Sequence, residues 1–189
     1  METKISEKII LGVDPGTRVL GYGLIGVDGS KIRIIQYGVI RLEKYNTHEL
    51  KLKKIFERIT QLIIDYQPGE MAIEAPFYGE NVQSMLKLGR AQGVAMAAAL
   101  AKDLNIVEYL PKKVKQSVTG NGNASKDQVA YMLEKLFNQT LDKKFLDATD
   151  GLAVAVCHFM HGKTKALNDN TSKKSGWSAF LSENPDRLK

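Results

Sequence analysis

Cysteine is almost missing from this chain of 189 residues. Its one thiol, Cys157, excludes an internal disulfide and a cysteine-based zinc site. It falls in an apolar helical pattern and is expected in the core. Histidine is nearly as scarce: His48, His158 and His161 offer no pair at metal-ligand spacing and read as surface or packing residues. No apolar run approaches the roughly 20 residues of a membrane span, and the N-terminus lacks the apolar core of a signal peptide. A reduced, cytoplasmic setting without a membrane partner is the default expectation. There is no internal repeat, and no serine- or cysteine-centred triad is supported.

What is present suits one globular domain. Apolar residues make up 43% of the chain and charged residues 25%, and the length suffices for a sizeable core. The net charge of +6 favours a polyanionic partner. Lys163 to Lys189, however, holds six Lys/Arg against three Asp/Glu, half of that excess. Charge alone therefore makes only a weak case for nucleic acid.

The pattern opens with three strands, Lys8–Asp14, Val19–Val27 and Lys31–Leu42. Asp28-Gly29 signals a tight hairpin between the second and third. Leu50, Leu52, Ile55, Ile59, Leu62 and Ile63 recur at a helical period from about Thr47 to Tyr66, and Pro68-Gly69 stops that helix. A short strand, Glu70–Glu74, follows, then a second helix from about Asn81 to Leu104. Gly89, Gly93, Ala97 and Ala101 lie four apart on it, either packing tightly on the sheet or meeting a second copy of the helix. Asn105–Leu110 reads as a fifth strand. Pro111 opens a segment rich in Lys112, Lys113 and Lys115 that runs into a glycine-broken loop. Ser125 with Gln128 makes a capping box for a helix over Lys126–Phe137. A last helix spans about Lys144 to His161, burying Phe145, Leu152, Val156 and Phe159. The expected architecture is α/β: a mixed five-stranded sheet with helices on both faces. Residues 1–162 form the domain, and residues 163–189 are expected to be a mostly disordered polar tail, with a short sticky element at Trp177, Phe180 and Leu181.

Acids stand at the ends of these elements. Asp14 closes the first strand and is followed by Pro15-Gly16; an Asx-turn is the competing explanation. Glu74 closes the fourth strand. Asp147 and Asp150 share a helix face, although an N-cap Asp147 with Asp150 at N3 would also account for them. Four carboxylates gathered from separate buried elements repel one another unless a positive charge sits among them. Mg²⁺ or Mn²⁺ suits an all-oxygen set, and two such ions can activate water and stabilise a leaving oxygen in phosphodiester hydrolysis.

GVDPGTRVLGYGLI, MAIEAPFYGENVQSMLKLGRAQGVA, YLPKKVKQSVTGNGNASKDQV and DATDGLAVAVCH, in that order, resemble the RuvC family of bacterial Holliday-junction resolvases. The likeness covers roughly Ile9 to His161. It implies an RNase H-like fold, a homodimer, and paired symmetric nicks in four-way junction DNA. It also implies cooperation with a branch-migration complex of the RuvA and RuvB type. Asp14, Glu74, Asp147 and Asp150 match the metal-binding acids, which implies two bound Mg²⁺, with Mn²⁺ as a substitute. Phe77 matches an aromatic that stacks on bases near the crossover. Lys115 and Lys126 match basic residues near the cut phosphate, and Lys112, Lys113 and Arg18 are further DNA-contact candidates. Gly151, directly after the last acid, departs from good helix chemistry by roughly 1 kcal/mol, and close backbone approach is one reason for it.

Rival readings fare less well. An actin-like or sugar-kinase ATPase needs two related domains and about twice this length. A non-catalytic junction binder gains nothing from four carboxylates beside DNA. An RNase H-like nuclease with another substrate, such as an RNA:DNA hybrid, stays open.

Overall fold

The computed structural model describes residues 8–76, 81–142 and 146–171, with side chains described as far as Gly162. Five strands form one sheet: β1 (Lys8–Asp14), β2 (Val19–Asp28), β3 (Lys31–Arg41), β4 (Glu70–Glu74) and β5 (Asn105–Tyr109), in the order β3-β2-β1-β4-β5. β1 to β3 are antiparallel neighbours, while β4 and β5 run parallel to β1. The Asp28-Gly29 hairpin is as expected, with Asp28 opposite Lys31 and Gly29 at φ 55°.

Five helices complete the described fold: α1 (His48–Tyr66), α2 (Val82–Leu100), α3 (Pro111–Thr119), α4 (Lys126–Phe137) and α5 (Leu146–Thr171). Thr47 caps α1 by accepting the Leu50 N–H. The capping box of α4 is complete: Gln128 N–H donates to the Ser125 hydroxyl, and Ser125 N–H donates to the Gln128 side chain. Strand ends fall within one residue of expectation, and two helix ends differ by more. α2 stops at Leu100, short of Leu104, because Asp103 turns the chain in the left-handed region at φ 56°. α5 continues to Thr171, ten residues past His161.

α3 was not expected. Its lysines and the glycines after it masked a signal that was present, with Pro111 opening the helix and left-handed Gly120 closing it. Val114 and Val118, four apart, are the side chains it buries. α5 begins at Leu146, so Asp147 lies inside its first turn and does not cap it. Phe145 and the segment Trp177 to Leu181 lie outside the described residues.

The two sheet faces are covered differently. Leu11, Val13, Leu20, Tyr22, Leu24, Met71 and Ile73 join Ile55, Ile59 and Leu62 of α1 and Ala91, Ala95 and Ala98 of α2 in one core. On the opposite face glycines replace side chains, and α5 lies directly on the strands. A Cβ at Gly23 would stand 2.5 Å from the Leu152 Cα, and one at Gly12 would strike the Gly151 carbonyl. Residues 151–157 of α5 are buried without interruption, as a helix pressed between layers requires. The small-residue stripe of α2 is not packed on the sheet: Gly93, Ala97 and Ala101 are exposed, and added Cβ atoms at Gly89 or Gly93 would meet nothing within 4 Å. The chain divides into two compact units, Met1–Phe159 and Met160–Lys189.

Candidate active site

β1 and β4 lie side by side with Val13 opposite Ile73, so the residues that end them, Asp14 and Glu74, stand together at one end of the sheet. α5 brings Asp147 and Asp150 to the same place because it descends onto β2, where Asp14 is paired with Gly21. A Cβ on Gly21 would collide with the Asp147 carbonyl. A Cβ on Gly151 would lie 2.5 Å from both the Cα and N of Tyr22 and 2.7 Å from the Gly21 carbonyl carbon. The helix-poor choice at position 151 therefore has the reason suspected from sequence: only glycine lets the acidic turn of α5 touch β2.

The four acids feel one another. Burial, followed by the charges of Glu74 and Asp150, pushes Asp14 well above the usual carboxylate range, with Lys126 opposing. Burial and Asp150 push Glu74 up to about 7, against the pull of Lys115 and Lys126. Burial also raises Asp150, although Lys126 favours its ionised form. The Lys126 ammonium donates to Asp147 Oδ1 at 3.0 Å and to Asp150 Oδ2 at 2.6 Å. Burial disfavours its charge, but hydrogen bonds and attraction from Asp150 and Asp147 outweigh that and raise its pKa. The capping box fixes where this lysine leaves α4.

An Asx-turn does not explain so strongly raised an acid at Asp14, since hydrogen bonds to its own backbone would favour the charged form. The donor set is all carboxylate oxygen, which suits a hard divalent cation. As placed, no three His, Cys, Asp or Glu side chains among the described residues are close enough to share one ion. Lys126 supplies the compensating charge that the four carboxylates require. Any ion held by Asp147 and Asp150 must take that place from the ammonium.

The other expected residues divide. Lys115 is partly buried on α3 and acts on Glu74 and Asp150. Lys112 and Lys113 are exposed on the same helix and are not among the groups shifting the carboxylates. Arg18 is exposed, while its carbonyl accepts the N–H groups of Leu42 and Glu43 at 2.8 and 3.1 Å. Phe77 lies outside the described residues. Sequence reasoning missed Gln92. This buried α2 glutamine donates from Nε2 to Glu108 Oε2 at 2.7 Å and to the Glu74 carbonyl at 3.4 Å. It lines a cleft of about 140 Å³ that also includes Asp14, Glu74, Pro76 and Pro111. A glutamine between Ala91 and Ala95 on a buried face was the signal available.

The clustered charge has a measurable consequence. Unfolded, Glu74 ionises near 4.5; folded, near 7. Between those values the folded protein keeps a proton that the unfolded chain releases, so stability falls as pH rises through this window and stays lower above it. Without divalent ions, Glu74→Gln should therefore gain about 2–3 kcal/mol at pH 8. That corresponds to roughly 5–10 °C in melting temperature. The gain should vanish near pH 4.5. Calorimetry showing the same difference at both pH values would refute this account.

Comparison with known proteins agrees with the geometry. Residues 10–158 match the family model described as "Crossover junction endodeoxyribonuclease RuvC". The protein of that name from Cytophaga hutchinsonii is 61% identical over 187 residues, covering 98% of this chain and 90% of its own. That from Porphyromonas gingivalis is 55% identical over 186 residues, covering 97% and 98%. Among solved structures, Thermus thermophilus RuvC in complex with a Holliday junction substrate superimposes with a TM-score of 0.77 at 26% identity, covering 84% of this chain and 96% of that one. The sheet and its helices have the RNase H-like arrangement expected from sequence.

Proposed function

The chain belongs to the RuvC family of crossover junction endodeoxyribonucleases, and from that membership we propose how the acidic edge of its sheet cuts DNA. The protein is an endodeoxyribonuclease that resolves Holliday junctions in recombination and repair. The observation that carries the mechanistic reading is the convergence of Asp14 and Glu74, at the ends of paired strands, with the acidic turn of α5, where Lys126 bridges Asp147 and Asp150. We assign the activity to residues 1–162, with residues 163–189 a tail outside it.

Asp14, Glu74, Asp147 and Asp150 would hold divalent metal, Mg²⁺ with Mn²⁺ as substitute and two ions per site, once the Lys126 ammonium gives way. Such a group would supply a lowered pKa for the attacking water and charge stabilisation for the departing oxygen. The protein's share is placement. Asp14 and Glu74 are fixed by the strands they end, and Asp147 and Asp150 by glycine contact between α5 and β2. Lys126, once released from the two aspartates, and Lys115 sit where an ammonium offsets charge developing on the phosphate. Phe77 stacks on an unpaired base at the crossover, and Arg18, Lys112 and Lys113 contact backbone phosphates.

Symmetric cutting needs two sites, and we propose a homodimer joined through the exposed α2 stripe. Val82, Leu86 and Leu100 are 62%, 51% and 60% exposed on the helix that carries Gly93 and Ala97. A branch-migration complex of the RuvA and RuvB type is the proposed upstream partner.

The test is cleavage of a synthetic four-way junction with and without Mg²⁺, alongside native mass measurement. Expected are a dimer and paired nicks in strands of like polarity, only with the ion present. Cleavage of an RNA:DNA hybrid in preference to the junction would favour the rival nuclease reading. Full cleavage in chelator would end the metal assignment.

A further inference from the structure

A second cavity, of about 660 Å³, lies away from the four acids against β2, β3 and α1. Tyr22, Tyr37 and Tyr45 line it together with Lys44, Lys54 and Arg58. Its rim carries four cationic side chains against one carboxylate, Asp142. Arg58 is held in place. Its Nη2 donates to the Tyr22 hydroxyl at 3.1 Å, and its guanidinium lies 5.6 Å from that ring's centre. No carboxylate among the described residues pairs with it. Gly38 opens the space, since a Cβ there would stand 2.8 Å from the Tyr22 hydroxyl oxygen. Lys44 stands 5.5 Å from the ring centre of Tyr45, and the Tyr37 hydroxyl accepts the Asp142 N–H at 3.2 Å.

Arg41 and Lys54 make long, solvent-exposed ion pairs with Glu43 and Glu57 at 3.7 and 3.6 Å, contacts weak enough for an anion to displace, and tyrosine rings beside such guanidinium and ammonium groups recognise a phosphate that carries a sugar or base. The position suits the substrate already assigned. Tyr22 is paired with Val13, next to Asp14, and with Gly38 on the edge strand. Two strand spacings separate β3 from β1, about 10 Å. We propose that this cavity grips the backbone of the DNA arm flanking the cut, so that one strand is held at two points. The proposal rests on the junction-nuclease reading for its ligand, but not on the metal chemistry.

The full chain carrying both Lys44→Ala and Lys54→Ala, two substitutions outside the core, tests it. Affinity for the junction should fall about tenfold at moderate salt, and the log–log salt slope should lessen by about one to two. The rate at saturating DNA should stay within about twofold, since neither lysine acts on the carboxylates. Methylphosphonate placed singly two to five nucleotides from the cut should weaken the parent at one position and add nothing to the variant's loss there. Strictly additive losses at every position, or an unchanged salt slope, would overturn the assignment. Titration with inorganic phosphate separates the sources: saturable binding to the parent, lost in the variant and without coupling to the DNA positions, would make this a free-anion site and refute the DNA grip. The same cycle run on linear duplex keeps the two readings apart. A parent that fails to prefer junctions yet keeps the coupling defeats the junction assignment and spares the cavity.

Discussion

Asp14→Asn is expected to lose strand cleavage by at least about 1,000-fold, equivalent to about 4 kcal/mol of transition-state stabilisation, while binding junction DNA as well as the parent. The substitution keeps shape and removes one negative charge from the end of β1. The buried side chains that anchor the strand, Ile10, Leu11 and Val13, are left as they are. Binding should not suffer, since a carboxylate beside a polyanion contributes only repulsion. Cleavage suffers because a neutral amide is a far poorer ligand for a hard divalent ion. Gel-resolved cleavage and fluorescence anisotropy on one junction separate the two effects. A variant cutting within tenfold of the parent would remove Asp14 from the mechanism. The same chemistry sets a pH signature for the parent. Asp14 and Asp150 are raised and Glu74 ionises near 7, so at subsaturating Mg²⁺ cleavage should climb between about pH 6 and 8. More metal should move the midpoint to lower pH, because ligation requires the ionised form.

Gly151→Ala carries the other large effect, and its sign decides between two ideas. If position 151 mattered only as part of a helix, alanine would stabilise the protein by about 1 kcal/mol. The contact with β2 predicts the reverse. A methyl group 2.5 Å from the Tyr22 backbone must push α5 away from the strands, at a net cost of about 1–3 kcal/mol. Asp147 and Asp150 move with the helix, and a displacement near 1 Å at such a site costs about 100-fold in rate. Gly21→Ala, on the opposite side of the same contact, should behave alike. Gly162→Ala is the control, a glycine of the same helix with nothing within 4 Å. It should leave cleavage intact and stability unchanged or improved. Thermal unfolding and cleavage rates on these three variants are sufficient. Stabilisation by Gly151→Ala with normal cleavage would refute the positioning role.

Much of this was legible in the residues. The β-branched run Ile9 to Val13 and the short Met71–Ile73 core marked two buried strands, and both ended where Asp14 and Glu74 were expected to stand. Ser125 and Gln128 announced α4 because a capping box is a local exchange of hydrogen bonds. α3 escaped because its lysines spoke louder than Pro111, Val114, Val118 and Gly120. Gln92 escaped because its partners, Glu108 and the Glu74 carbonyl, lie on strands 16 and 18 residues away in sequence.

The sequence by itself determined which elements form and which carboxylates sit at their ends, because periodicity, caps and turn residues act over a few neighbouring positions. Only the tertiary structure decided that Lys126 bridges Asp147 and Asp150, that Gly151 is a contact with β2, that the α2 stripe faces outward, and that three tyrosines, with Arg58 bonded to one of them, line a second cavity. Those outcomes depend on backbones far apart in the chain approaching to van der Waals distance, and no local pattern encodes that approach.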